Sequence, residues 1–455
     1  MKLEDELKSF EAKVRDIYCN VRYDSSGLNQ DQKLKEEEKK EILHEIIKNF
    51  KIGQKKILTE LRLFQSLSKV NQTELKTARK EGDKKKVKVS MEKSKIFEYQ
   101  KSICRNLADT IAWQLLNGEH YLYRRLYTGE EGTKDLSDQS FNYVIDFTDR
   151  INADPDSFCL ISDITSNIQL GDCLIKDKEG IKISEIKSGE INFRVLDVIE
   201  DRNLTDDAFD EKDFSPEFDE KFIKQMKRVV AQKGKNERAA KIVKEHKGPD
   251  PKYKDAEVHI VENDFPLGTY HADLVGLLGE LKTQDYAYTC IGEIIHIGIY
   301  KNEWRTFGQF SMKQLCAPYP FVDLMSSRTL ICEPIFLKPF PEEIIMDMVM
   351  GRIKVFIGVN YDNFIEFSNG LGVKASWSSA KELQKYLENF KHDRRTIFSF
   401  ENKGIKLEID GHEIFVGGGF FSKMIFDHFL PQTMILKYSG LIDGIVNSGK
   451  ENKNP

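Results

Sequence analysis

Asp172, Glu185 and Lys187 are the side chains of this sequence whose types and spacing could do chemistry. Asp172 follows Gly171, and Glu185-Ile186-Lys187 comes after twelve intervening residues. Those twelve consist of two short runs of alternating apolar and polar residues around the tetrad Asp177-Lys178-Glu179-Gly180, the pattern of a β-hairpin. With the turn at the tetrad, Lys176 faces Ile181, Leu174 faces Ile183, and Asp172 faces Glu185. Directly opposed side chains share a face of the sheet, with Cβ atoms about 4.5–5.5 Å apart. Lys187, two residues beyond Glu185, projects from the same face. Two carboxylates so placed repel each other unless positive charge lies between them. A divalent cation with Lys187 beside it meets that need.

The pattern Gly171-Asp172, Glu185-Ile186-Lys187, then Ser188-Gly189 resembles the core of the PD-(D/E)xK nuclease superfamily, with glycine where that family often has proline. The resemblance covers about residues 100–245. It implies a restriction-endonuclease-like αβββα core within a mixed α/β chain, α+β overall. It also implies Mg²⁺, replaceable by Mn²⁺, held by Asp172, Glu185 and the backbone carbonyl of Ile186. Lys187 would then orient or deprotonate the attacking water, or neutralise the phosphate. Cores of this kind open with an amphipathic helix that often gives one more acidic ligand. Residues 101–127 have that pattern, and they offer Asp109 and Glu119, between which the sequence does not choose. A helix after the Glu-x-Lys strand helps position the substrate backbone. Gln225, Arg228 and Gln232 form one stripe of the segment 221–246, with Lys224 beside it. A second Glu-x-Lys, Glu280 to Lys282, has Asp273 only seven residues upstream, too near for a full hairpin.

The resemblance thus implies a hydrolase, a metal-dependent endonuclease or exonuclease acting on DNA, with RNA as the alternative, in bacterial restriction or anti-phage defence. A homo-oligomer or a defence-system partner protein would fit that setting. Two other classes stay open: a catalytically inactive nucleic-acid-binding scaffold, and a helical interaction protein.

The rest of the chain must position these groups. Its 455 residues are 40% hydrophobic and 31% charged, with a net charge of −5, so any attraction for nucleic acid must be local. No run of eighteen apolar residues suits a membrane span, and the charged N-terminus has no signal-peptide core. Seven cysteines without a Cys-x-x-Cys pair suggest a cytoplasmic protein without disulfides. Residues 1–100, free of proline, read as two or three long helices with breaks at Gly27–Asn29 and at Glu81–Asp83. The basic run Lys84–Lys88 could touch phosphate or simply open a solvated helix. A nuclease-like domain over 101–248 would use strands at 157–161 and 191–196 beside the hairpin. Residues 197–220 hold eleven acidic and two basic side chains, and 221–254 hold twelve basic and three acidic. The acidic stretch reads as a loop that ends in a helix start at Ser215-Pro216 and could mask the basic helix. Gly248-Pro249-Asp250-Pro251 marks a boundary, followed by a mixed α/β domain over 255–449 of unassigned role. There, Gly417 to Gly419 reads as a tight turn, and His271 and Asp273 alternate on a possible strand.

Overall fold

The computed structural model describes residues 3–23, 35–127, 136–187, 190–215, 217–251, 257–260, 267–329, 331–389, 397–409 and 411–437. The chain divides into two compact units, 1–260 and 261–455.

The first unit opens with three long helices, α1 (Leu3–Val21), α2 (Glu36–Glu81) and α3 (Lys84–Leu115). α2 and α3 form an antiparallel hairpin. Gly82 ends α2 in the left-handed conformation at φ +71, and Asp83 caps α3 by accepting from the Lys86 N–H. Near the body of the unit the helices share a core of Phe10, Val14, Ile17, Ile57, Leu61 and Phe64. Farther out the seam is polar, with Asn71 Nδ2 donating to the Ser90 carbonyl and to Ser94 Oγ, each at 2.8 Å. The boundary expected at residue 100 falls inside α3, which continues unbroken to Leu115 within the same unit as the sheet. The break expected at Gly27 and Asn29 lies outside the described residues.

The helix expected over 101–127 ends early. Asn117 and Gly118 take φ +56 and +73, and the chain resumes as α4 (His120–Arg125). Then α5 (Gln139–Asn152) buries Phe141, Val144 and Thr148 at helical spacing. Three strands follow, β1 (Phe158–Ile161), β2 (Cys173–Asp177) and β3 (Gly180–Ser184), in an antiparallel sheet of order β1-β2-β3. The hairpin register matches the count from sequence: Lys176 pairs with Ile181 and Leu174 with Ile183. The outer edge of β1 is covered by α2. Gln54, 3% exposed, donates to the Cys159 carbonyl and accepts from the Ile161 N–H, both at 2.9 Å, as a further strand would.

Beyond the hairpin the structure corrects the reading. Residues 191–196 are not a strand but lie in α6 (Glu190–Asp201), with Val195 and Ile199 one turn apart and fully buried. α7 (Glu220–Glu245) begins at Asp219, whose carboxylate accepts from the Phe222 N–H at 2.8 Å, not at Ser215-Pro216. Phe222, Ile223, Met226, Val229 and Val230 of α7 close a core with Val195, Ile199 and Phe214. A two-stranded ribbon of β4 (Lys247–Pro249) and β5 (Glu257–His259) follows.

The second unit starts with α8 (His271–Glu280), so His271 and Asp273 share a helical first turn and do not alternate on a strand. Its main elements are β6 (Tyr286–Ile291), β7 (Ile295–Lys301), α9 (Trp304–Leu315), β8 (Phe321–Asp323), α10 (Glu342–Val349) and β9 (Ile353–Val359). The four strands form a sheet of order β6-β7-β9-β8. Then come α11 (Tyr361–Gly370), β10 (Lys374–Trp377), α12 (Ala380–Asn389), β11 (Ile405–Ile409), β12 (His412–Phe415) and α13 (Gly418–Phe426), with β10, β11 and β12 in a second sheet. Gly417 caps α13 and Gly418 and Gly419 open it, in place of the expected tight turn. The named strands pair antiparallel throughout, which makes the fold α+β and not alternating α/β. Among the described residues no helix is long and apolar enough to cross a membrane, and all seven cysteines are free thiols.

Candidate active site

The site is built where β2 enters and β3 leaves the hairpin. The regular ladder ends at Cys173 opposite Ser184, one pair short of Asp172 and Glu185. Gly171 makes the departure. It sits at φ +68, and a Cβ there would lie 2.6 Å from Ile183 Cγ2 and 2.8 Å from the Ser184 carbonyl oxygen. Only glycine allows that combination of left-handed backbone and close approach. The Asp172 N–H then donates to the Ser184 carbonyl at 2.8 Å, and Asp172 Oδ2 accepts from the Ile186 N–H at 2.8 Å. The expected cross-strand pair of carboxylates is thus replaced by a carboxylate clamped to the backbone of the opposite arm of the hairpin. Asp172 is 7% exposed.

Glu185 and Lys187 do come together. Lys187 Nζ donates to Glu185 Oε1 at 2.7 Å and to Gln232 Oε1 at 2.6 Å, and its side chain is only 7% exposed. Gln232 therefore reaches the site from α7, acting on the lysine. Gln225 does not: its Nε2 donates to Asn192 Oδ1 of α6 at 2.6 Å. Arg228 is exposed, and Lys224 is exposed and paired with Glu220 at 2.5 Å. The acidic stretch packs on α7, with Glu211 2.5 Å from Lys227 and Asp206 3.0 Å from Arg238. Part of the basic face is thus already neutralised within the chain.

A cleft of about 670 Å³ opens on Ser184, Glu185, Ile186 and Lys187. Its opposite wall is α5, through Tyr143, Asp146, Phe147, Asp149 and Arg150, and Phe193 of α6 closes one side. Asp146 and Asp149 are the acidic groups that the sequence reading did not single out. Their signal was present: Asp138 caps a helix whose Phe141, Val144 and Thr148 bury one face and leave the two aspartates on another.

Asp109 and Glu119 do not line this cleft. Asp109 is 1% exposed inside α3, where its Oδ1 accepts from the Tyr123 hydroxyl at 2.8 Å and the Ser166 N–H at 2.9 Å. Burial pushes its carboxyl above the usual range, and the Ser166 and Tyr123 hydrogen bonds only partly offset that. Glu119 stands at the N-cap position of α4, where its side chain makes no capping hydrogen bond and lies 3.9 Å from His246 Nε2. The helix that faces the motif is therefore α5 and not the one expected. The second Glu-x-Lys closes α8 and the turn after it, with no hairpin between Asp273 and Glu280. Ser188 and Gly189 lie outside the described residues.

The oxygens here are of the kind a hard cation takes. Among the described residues no three His, Cys, Asp or Glu side chains converge as a ready-made cage. Mg²⁺ commonly uses one or two carboxylates and fills its shell with water and substrate phosphate, so this donor set fits it better than it fits a metal that needs an all-protein cage. No protein family, curated protein or solved structure matches the chain.

Proposed function

We propose that the chain is a Mg²⁺-dependent nuclease that hydrolyses phosphodiester bonds of DNA, in bacterial restriction or anti-phage defence. The observation that carries this reading is the hairpin register, which delivers Asp172 and the Glu185-Ile186-Lys187 segment to one end of the sheet, the latter beside an open cleft. Asp172, Glu185 and the Ile186 carbonyl would hold the cation, and Asp146 and Asp149, which do not converge with those two carboxylates, would face it from the cleft wall in place of Asp109 and Glu119. When bound, it would polarise the scissile phosphate and lower the pKa of a bound water. The Ile186 N–H fixes the Asp172 carboxylate. Lys187, held by Glu185 and Gln232, keeps its ammonium at the cleft wall, where it can donate to the attacking water or to the phosphate oxygens as charge builds there.

Purified protein incubated with linear DNA, circular DNA and RNA in Mg²⁺ or Mn²⁺ tests the proposal. Cleavage that disappears in both Asp172→Ala and Lys187→Ala, with circular dichroism unchanged, supports it. Absence of cleavage with either metal sinks it. One observation favours a second reading, a core that binds nucleic acid without cutting it: Lys187 is already ion-paired with Glu185, which occupies both the lysine and the carboxylate that cleavage would use. DNA binding that persists with no cleavage in any metal selects that scaffold.

A further inference from the structure

We infer that the tip of the α2–α3 hairpin is a second contact for nucleic acid, one that grips the phosphate backbone and does not depend on chemistry in the cleft. Residues 76–95 carry nine lysines and arginines against three acidic residues, in a chain whose net charge is −5. The exposure of these groups matters as much as their number. Among the described residues only Lys86 of the nine is ion-paired, with Glu81 at 3.6 Å and Asp83 at 3.5 Å. On α7 the comparable cations Lys224, Lys227, Arg238 and Lys241 each have an acidic partner. Among the described residues four of the nine α7 cations have an acidic partner against one of nine at the tip, where Glu92 is the acidic residue that lines the groove.

The geometry is regular. Lys84, Lys88 and Lys95 fall at i, i+4 and i+11, one stripe of α3, and with Arg79 they line an open groove of about 490 Å³ at the tip. From Lys84 to Lys95 the helix rises about 16 Å at 1.5 Å per residue. That matches about five steps of 3.4 Å along one DNA strand. Residues 65–96 contain no aromatic side chain, so the tip lacks the aromatic anchors common at protein–protein interfaces. Flexible lysines one and then two turns apart on one stripe suit a polyanion whose charges repeat, and they would contact phosphates without reading bases. Val87 and Met91 line the same groove and would cover sugar edges.

The test uses the full chain in EDTA, which stops metal-dependent cleavage, with a fluorescent 20-base-pair duplex titrated between 25 and 200 mM KCl. The variant replaces Arg79, Lys84, Lys88 and Lys95 with alanine, the residue that best preserves an exposed helix. Each phosphate contact contributes about 0.9 to the slope of log K against log salt, so loss of all four lowers the slope by about 3.6. Lys224→Ala with Lys227→Ala, which removes cations already paired, should change it by less than about 1. An unchanged slope in the tip variant, with helicity retained by circular dichroism, overturns the inference. So does equal competition by poly-glutamate at matched charge, which would assign the tip to an acidic protein. Should the fourfold variant lose helicity, Lys→Gln at 84, 88 and 95 replaces it, and contact of residues 79–95 with photo-crosslinking DNA gives an independent readout. Absence of both the slope change and the crosslink refutes the contact. Failure of cleavage in the wild type leaves this result untouched, so the two proposals fail separately.

Discussion

Gly171→Ala is the sharpest perturbation available to the hairpin. The new methyl would have to sit 2.6 Å from Ile183 Cγ2 and 2.8 Å from the Ser184 carbonyl, a backbone atom that cannot swing aside. It would also hold a non-glycine residue at φ +68. The left-handed conformation costs about 1–2 kcal/mol, and forcing a methyl into a packed site costs about 1–3 kcal/mol. The stiffer unfolded chain returns about 0.4–1 kcal/mol. The net loss of about 2–4 kcal/mol is concentrated where β2 and β3 meet. Hydrogen exchange at the Asp172 and Ile186 amides reads it directly, because their acceptors are the Ser184 carbonyl and the Asp172 carboxylate. At about 1.4 kcal/mol per factor of ten, exchange should quicken about 30- to 700-fold, and DNA cleavage should fall with it. If both amides exchange in the variant as slowly as in the wild type, the close approach of Gly171 to β3 is wrong, and the site built on it falls too.

Asp109→Asn should raise the melting temperature at pH 7 and leave cleavage unchanged. The folded-state pKa of Asp109 lies above its unfolded value, so its contribution to stability is complete below the unfolded pKa and is lost as pH rises through the folded one. Near pH 3 both forms are neutral and the two proteins should melt together; a loss of activity at pH 7 would return Asp109 to the site. The second unit should respond to acid in the opposite sense. Burial holds His271 down to about 4, with the Lys338 ammonium adding to the effect, and holds His428 well below its ordinary value. Both then bind protons only on unfolding, so stability should fall as pH drops from about 6.5 to about 4. Thermal unfolding followed by fluorescence of Trp304 and Trp377 checks this, and His428→Asn, which tolerates the φ of +58 at that position, should flatten the dependence.

The hairpin was legible because its evidence is local. Alternation fixes which residues face each other, and the Asp177–Gly180 turn fixes the count, so Leu174 opposite Ile183 needed nothing from the rest of the fold. The last pair, Asp172 with Glu185, failed because Gly171 bends the strand out of the ladder, and a glycine in sequence does not state its φ. Residues 191–195 alternate over five positions before Leu196 breaks the pattern, too short a window to separate a strand from a helix. The pattern resolves only when Ile199 is added to Val195. The third acidic group was sought on the most apolar helix preceding the strands. Asn117 and Gly118 end that helix early, and the chain then inserts α4 and α5 before β1. Which helix faces a hairpin is decided by packing, through Phe141, Val144 and Thr148, and a period alone does not say what a buried face is buried against.

Gln54 joins two parts of the first unit that the sequence keeps more than a hundred residues apart. One amide completes the border of β1, so nothing else can add to that side without first expelling it. The same helix continues from Gln54 to the hairpin tip, a further 28 residues, or about 42 Å of rigid rod at 1.5 Å per residue. A load applied at the far end of α2 is therefore delivered to the sheet through a side chain bonded to two adjoining backbone groups. Replacing Gln54 with leucine would strip that joint of both bonds and leave the Ile161 N–H stranded in an apolar setting, while the Cys159 carbonyl keeps its 3.4 Å bond from Asn152. The Phe50 ring against Phe158 of β1, 5.8 Å between centroids, and the Lys51 bond to the Asp154 carbonyl would then carry the load in its place.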